Sequence, residues 1–465
     1  MSWGAALRFY SLGENSLWID EAVTVHLARL PFREFLRALW AYQGNMALYY
    51  CLMRLWIHLG QSEWALRGLS AILGVLTIPA IYLLGARLFD RNTATVAALL
   101  VSLHSFHVQW SREARAYSLL VLLLVLAAYF LALATETRLT RHWVAFAVTA
   151  AMSFYAHIFA AFVLLAFVIA VAFPKPFQVS RRSVVLAFLI FEHLSAPMAV
   201  FVLLQRGSQL NWVQPPTVGA ILRFIEVLTG SGGAILAVAY FAPCAIGCVP
   251  AFRLSEAGKD TWATRLLLMW LLIPPALTLV LSLIKPMFDD RYMVMCVPAL
   301  VLLAARGLTR LAEMVSVPRW VPASVLALLL ALSAFGTRTY FRRLPFSDWR
   351  SAVRYLQDNQ QPGDSAVFWR GNITAYEYYL HGTPGPAILY PTPQPQPVST
   401  ELLSAVMAGR QRIWLVLHIP DKSSPEYKIV EDEFSPARFM LKSHREFPGQ
   451  EPITVELYNR RENGQ

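Results

Sequence analysis

From residue 65 to 337 the chain alternates long apolar blocks with short polar breaks, and the breaks are basic at every second position. Blocks at 65–87, 93–110, 116–134, 143–156, 158–173, 184–204, 233–252, 264–284, 292–308 and 320–337 have the length and apolarity of membrane-crossing helices, the two flanking His157 being short enough to form one broken span. A backbone crossing lipid must satisfy its own N–H and C=O groups, so unbroken apolar runs predict helices. With residues 1–64 placed outside, the inside loops carry Arg87 and Arg91; Arg138 and Arg141; Lys175, Arg181 and Arg182; Arg253, Lys259 and Arg265; and Arg306, Arg310 and Arg319. That bias predicts an outer face holding the N-terminal segment and everything after about residue 338.

After Leu344 the pattern changes to that of a water-exposed domain. "FSDWRSAVRYLQDNQQPGDSAVFW" reads as an amphipathic helix, a Pro-Gly-Asp turn and a strand, and 412–418 and 452–459 read as further strands. "PTPQPQP" at 391–397 predicts a stiff connector. Residues 217–229 read as an amphipathic helix lying on the outer surface, and interfacial helices are expected within 18–64. The expected organisation is an outer acidic-loop segment (1–64), a helical membrane domain (65–340) and an extracytoplasmic α/β domain (341–465).

Composition agrees: 56% of the 465 residues are hydrophobic and 15% charged, as in multi-span membrane proteins. The net charge of +11 is spread over short loops rather than pooled, which excludes a nucleic-acid surface. Cys51, Cys244, Cys248 and Cys296 lie in or beside apolar runs and read as packing residues.

Charged residues that this topology places outside, at the membrane edge, form the candidate site. They are Asp20 and Glu21 in "SLWIDEAVTV", Arg112, Glu113 and Arg115 in "HVQWSREARAYSL", His157 in "SFYAHIFAA", and Lys285, Asp289, Asp290 and Arg291 in "IKPMFDDRYMV". Ionisable groups there are costly, so several on one face indicate function. Carboxylates with several cations suit group transfer from a lipid phosphate: guanidinium groups stabilise a departing phosphate, and a carboxylate accepts the proton of an incoming hydroxyl. No Gly-rich nucleotide loop is present.

These segments, with "SEWALRGLSAILGVLTIPAIYLLGARLF" and "DDRYMVMCVPALVLLAARGL", resemble in order the membrane glycosyltransferases of GT-C type. The likeness is greatest to the dolichyl-phosphate-mannose protein mannosyltransferase superfamily, which includes the bacterial lipid A aminoarabinose transferases and the "family 39" members. It runs from about residue 11 to 340. The resemblance implies an α-helical polytopic GT-C protein of the plasma (inner) membrane, with about ten spans and its site outside. It implies transfer of a sugar from a polyprenyl-phosphate donor to a glycan, lipid or protein acceptor, with inversion. By the same resemblance Asp20 is the base or orients the acceptor, and Glu21 supports it or helps hold a divalent metal (Mg or Mn), a requirement left open. Arg112, Glu113, Arg115, Tyr117, His157, Arg291 and Tyr292 contact the donor phosphate and sugar. Lys285 joins this set on charge and topology alone, and Tyr49 and Trp212 are assigned to the acceptor.

Two departures from the family pattern stand out. Relatives have a transmembrane helix before the acidic loop, whereas 19 residues precede Asp20 here; an upstream native start or a shortened copy is the expectation. The Pro-Pro-Leu-Tyr-Tyr run of relatives is "NMALYY" at 45–50. His104 and His107 are spaced for a metal pair but read as polar residues near the interface. A transporter or flippase of lipid-linked sugars, and an inactive scaffold relative, are the alternative readings. Glu192, His193 and Glu226 show none of the repeated pattern that a transporter would carry.

Overall fold

The computed structural model describes all residues except 173–179, 206–209, 211–212, 253–257, 370–372, 381, 383–384, 391–399, 419–424 and 462–465. The chain divides into two compact units, one of Met1–Leu12 with Leu30–Arg342, the other of Gly13–Arg29 with Arg343–Gln465.

The first unit is a helical bundle. Among the described residues seven helical segments are long and apolar enough to cross a membrane: Glu63–Leu88, Tyr117–Thr137, Arg181–Gln205, Gly233–Phe252, Lys259–Leu281, Asp290–Glu313 and Trp320–Phe341. The remaining apolar runs form the shorter helices Arg91–Leu103, Thr140–Ala156 and Ala160–Ala172, so about ten helical runs lie where the apolar blocks predict them. The block at 93–110 breaks at His104, which takes an extended backbone (φ −68°, ψ 109°) before a short helix Ser105–Trp110. The amphipathic stretch at 217–229 is the helix Val218–Leu228. Ahead of Glu63 the first unit holds Phe32–Ala38 and Ala47–Trp56, joined by one turn each of π and 3-10 helix.

Helices in lipid gain little from the hydrophobic effect against one another and associate by close packing of small residues. Gly247 and Gly307 meet in this way: a Cβ on Gly307 would stand 1.8 Å from the Pro243 carbonyl oxygen, and one on Gly247 2.4 Å from the Leu303 carbonyl oxygen. Four of the basic residues, Arg87, Lys259, Arg306 and Arg310, are paired with carboxylates. Arg306 reaches Asp260 (3.1 Å), Glu313 (3.3 Å) and Asp90 (3.5 Å), Arg310 pairs with Asp260, and Arg87 and Lys259 share Glu136. Asp90, Lys259, Asp260, Arg306 and Glu313 border a cleft of about 490 Å³. Lys175 and Arg253 lie outside the described residues.

The second unit is α/β. Strands β1 (Ser365–Trp369), β2 (Ala387–Tyr390), β3 (Arg412–His418), β4 (Phe439–Phe447) and β5 (Ile453–Arg460) form one mixed sheet in the order β2-β1-β3-β5-β4. The β1–β2 and β1–β3 pairs are parallel; β3–β5 and β4–β5 are antiparallel. Ile413, Leu415 and Leu417 of β3 share a core with Leu403, Met407, Val430 and Phe434 from the helices Thr400–Met407 and Pro425–Glu433. The alternate residues turn the other way, where Trp414 meets Tyr355 and His418 meets Trp349 of the helix Trp349–Asn359. Covered on both faces, β3 needs the nearly continuous apolar run "IWLVL". The proline-rich connector at 391–397 lies outside the described residues.

Candidate functional site

In the bundle, the segment "SREARA" at 111–116 joins the helices Ser105–Trp110 and Tyr117–Thr137, and every one of its residues is buried. Arg112, Glu113 and Arg115 are each less than a tenth exposed, a concentration of buried charge that ordinary loops avoid. Gly74 lets the segment seat against the helix Glu63–Leu88, since a Cβ there would fall 2.3 Å from Ser111 Oγ. Arg115 is held from two sides. Its Nη1 donates to Tyr50 Oη (3.3 Å), and its carbonyl accepts from Ser70 Oγ (3.1 Å), which in turn bonds Tyr49 Oη (2.7 Å). The "YY" pair at 49–50 therefore fixes this arginine by both backbone and side chain.

His157 stands at the break between Thr140–Ala156 and Ala160–Ala172, in extended backbone and 1% exposed. Its Nδ1 accepts from the Phe159 N–H (3.2 Å); in a neutral ring that leaves the proton on Nε2, which has no hydrogen-bond partner among the described residues. Its ring lies 5.0 Å from Tyr292, 5.4 Å from Phe159 and 6.1 Å from Tyr117, and Tyr292 stacks on Phe159 at 4.7 Å. The charges of Arg115 and Arg291 both bear on the imidazole. Arg291 is itself oriented: its Nε pairs with Asp289 at 3.2 Å, its backbone N–H donates to the same carboxylate at 3.0 Å, and its guanidinium stands 5.7 Å from the Tyr292 ring. The bundle thus brings together Arg115, Tyr117, His157, Arg291 and Tyr292, five of the residues singled out from the sequence.

The others have different surroundings. Arg112 closes the end of the helix Ser2–Phe9: its Nη1 donates to the Leu7, Arg8 and Tyr10 carbonyls and its Nη2 to Ser11, and its guanidinium lies 4.7 Å from the Phe341 ring. Those donors are committed to backbone. Glu113 is buried, and Tyr49 is fully buried with its hydroxyl on Ser70. Lys285 is half-buried just past the end of Lys259–Leu281. Trp212 lies outside the described residues. His107 Nδ1 is taken by Arg8 (2.8 Å). Tyr50, Ser70 and Phe159 were not singled out; the second tyrosine of "YY" was the available signal for Tyr50.

Asp20 and Glu21 belong to the second unit. They open the helix Ile19–Arg29, where carboxylates meet the positive end of the helix dipole. Glu21 is wholly buried and its Oε2 accepts from the Trp18 N–H at 3.4 Å, the return bond of a capping box. Asp20 is half-buried, and its carbonyl accepts from Thr24 Oγ1 at 2.9 Å. Among the described residues no group of three or more His, Cys, Asp or Glu is placed to hold a metal ion.

Residues 47–201 match the family model described as dolichyl-phosphate-mannose-protein mannosyltransferase. No curated protein sequence matches the chain. Among solved structures, ArnT from Cupriavidus metallidurans bound to undecaprenyl phosphate superposes with a TM-score of 0.62 at 12% identity, covering 98% of this chain and 96% of that one. The Archaeoglobus fulgidus oligosaccharyltransferase gives 0.54 at 15% identity, covering 91% and 70%. The arabinofuranosyltransferase AftD from Mycobacteria gives 0.52 at 17% identity, covering 98% and 41%. At these identities the likeness is one of fold. The chain is a membrane protein with the GT-C glycosyltransferase fold, and its residues 47–201 carry the pattern of the dolichyl-phosphate-mannose-protein mannosyltransferases.

Proposed function

We propose that this protein is an inverting glycosyltransferase of the inner membrane that takes its sugar from a polyprenyl phosphate and acts on the outer face. The observation that carries the reading is the buried bundle cluster: two oriented guanidiniums, Arg115 and Arg291, around an imidazole whose Nε2 is left to donate, walled by Tyr117, Phe159 and Tyr292. That is a set of donors for a phosphate, and it sits in a fold shared with an enzyme whose structure holds undecaprenyl phosphate.

In the proposed reaction the acceptor hydroxyl oxygen attacks the anomeric carbon from the side opposite the phosphate. The new C–O bond forms as the bond to the phosphate oxygen breaks, and the electron pair leaves on the polyprenyl phosphate. Asp20 takes the hydroxyl proton, and Arg115, Arg291 and the His157 Nε2–H neutralise the charge developing on the leaving group. Glu113 and Lys285 complete the donor set, Glu21 steadies the helix start that carries Asp20, and Trp212 meets the acceptor. Arg112 acts through the carbonyls it holds, and Tyr49 through Ser70, rather than by touching substrate.

The test is turnover of radiolabelled polyprenyl-phosphate sugars by purified protein beside Asp20→Asn. Transfer by the wild type alone, with donor binding retained in the variant, is the expected result, and chelation of divalent cations in the same assay decides the metal question. Binding without transfer by any donor–acceptor pair would instead favour movement of a lipid-linked sugar.

A further inference from the structure

We infer that the α/β domain is the holder of the acidic segment, and that Arg350 and Tyr379 are positioning residues for Asp20; this rests on the transferase reading above. Residues Gly13–Arg29 form one compact unit with Arg343–Gln465, and nearly every residue of the approach to the acidic pair is tied to that domain. Arg350, on the helix Trp349–Asn359, donates Nη1 to the Glu14 carbonyl (2.9 Å) and Nη2 to the Gly13 and Asn15 carbonyls (3.1 and 3.4 Å). Ser16 Oγ accepts from the Trp349 N–H (3.1 Å) and donates to the Ser347 carbonyl (2.6 Å). The Leu17 N–H donates to Tyr379 Oη (2.7 Å), and the Trp18 ring stacks on Phe346 at 4.5 Å and 21°. At the far end of the helix Ile19–Arg29, the Arg29 guanidinium lies 5.2 Å from the Tyr378 ring.

Six consecutive residues before the acidic helix are thus held by a guanidinium fork, a serine bridge, a phenol and an aromatic stack, with every partner in 346–379. Ser16, Leu17 and Trp18 are buried. A flexible loop that only linked two elements would need none of this. Holding a base to within a fraction of an ångström is what such fixing achieves, and a displacement of about 1 Å can cost about a hundredfold in rate.

The experiment compares Arg350→Ala, Arg350→Lys and Tyr379→Phe with a control on the same helix, Arg354→Ala, whose exposed side chain pairs with Asp358. Amide hydrogen exchange is followed over residues 13–24, and kcat and KM are measured for a polyprenyl-phosphate sugar donor. Arg350→Ala should speed exchange in 13–18 by about tenfold and lower kcat by about tenfold or more with the donor KM unchanged. Tyr379→Phe should free the Leu17 amide alone, Arg350→Lys should recover part of both effects, and Arg354→Ala should match the wild type. Unchanged exchange in Arg350→Ala, or faster exchange with unchanged kcat, overturns the inference. A wild type that transfers no sugar from any donor overturns the transferase reading first, and the positioning role with it.

Discussion

Replacing Gly307 by alanine would put a methyl carbon 1.8 Å from the Pro243 carbonyl oxygen, 2.5 Å from its carbonyl carbon and 3.1 Å from the Gly247 nitrogen. All three are backbone atoms, so no rotamer change relieves the overlap; the helices Gly233–Cys248 and Val297–Glu313 must part until the carbonyl has withdrawn beyond 3.0 Å. Overpacking of this kind costs about 1–3 kcal/mol or more, partly offset by about 1 kcal/mol of alanine's helix preference over glycine. We expect a net loss of about 2 kcal/mol, together with a slackening of the Arg310 contact to the Ile246 carbonyl, which joins the same helices. Cys244 and Cys248 lie beside the contact and are buried, whereas Cys51 is exposed. In a background with Cys51→Ser and Cys296→Ser, heating with a thiol-reactive dye therefore reads the opening of this interface directly, and Gly307→Ala should label several degrees earlier. Gly68→Ala is the control, since its Cβ would meet only Trp56 at 3.6 Å, and it should label at the wild-type temperature or later. Equal labelling of the two variants would show that these helices are not in backbone contact and refute the packing argument.

Two further outcomes follow from other parts of the molecule. His157→Phe keeps the ring stack but removes the Nε2–H, so donor affinity should fall about tenfold by the worth of one hydrogen bond to a charged group, measured by equilibrium binding of labelled donor; unchanged affinity would exclude His157 from the phosphate site. In the α/β domain, buried Asp364 accepts from Trp414 Nε1 (2.7 Å), the Gln361 N–H (3.0 Å) and Arg412 (2.9 Å). Asp364→Asn should cost about 2 kcal/mol, seen as faster exchange of the β1 and β3 amides while the bundle helices exchange as before.

The bundle was legible because each span is a run of apolar residues with a basic end, a signal that needs no knowledge of contacts. What the runs hide is local. The block at 93–110 is uniformly suited to a helix, yet it breaks at His104, and the break depends on neighbours such as Gly230, whose carbonyl accepts from Ser105 Oγ at 2.5 Å. In the α/β domain β1, β3 and β5 could be read from their apolar residues. By contrast, β4, "FMLKSHREF", buries only its two ends and gives no alternation to detect. Arg115, His157 and Arg291 were chosen by charge, position and resemblance, and the bundle gathers them. Arg112 met the same criteria but spends its donors on carbonyls, which have no signature in sequence. The attachment of Gly13–Arg29 to the α/β domain was invisible for that same reason: Arg350 binds main-chain oxygens more than 330 residues away.

That separation has a consequence for how the protein is made. Ser16 and Ser347 are 331 residues apart, and Leu17 and Tyr379 are 362 apart. At about 5–20 residues per second the ribosome emits the acidic segment tens of seconds before its holder exists. Throughout that interval Asp20 and Glu21 sit on an unanchored stretch, while the bundle helices that follow are already being inserted. The acidic helix can take its final place only once residues 343–379 have been made and folded. A nascent or truncated chain, even one with a complete bundle, therefore lacks a seated acidic helix, and maturation is completed from the C-terminal end.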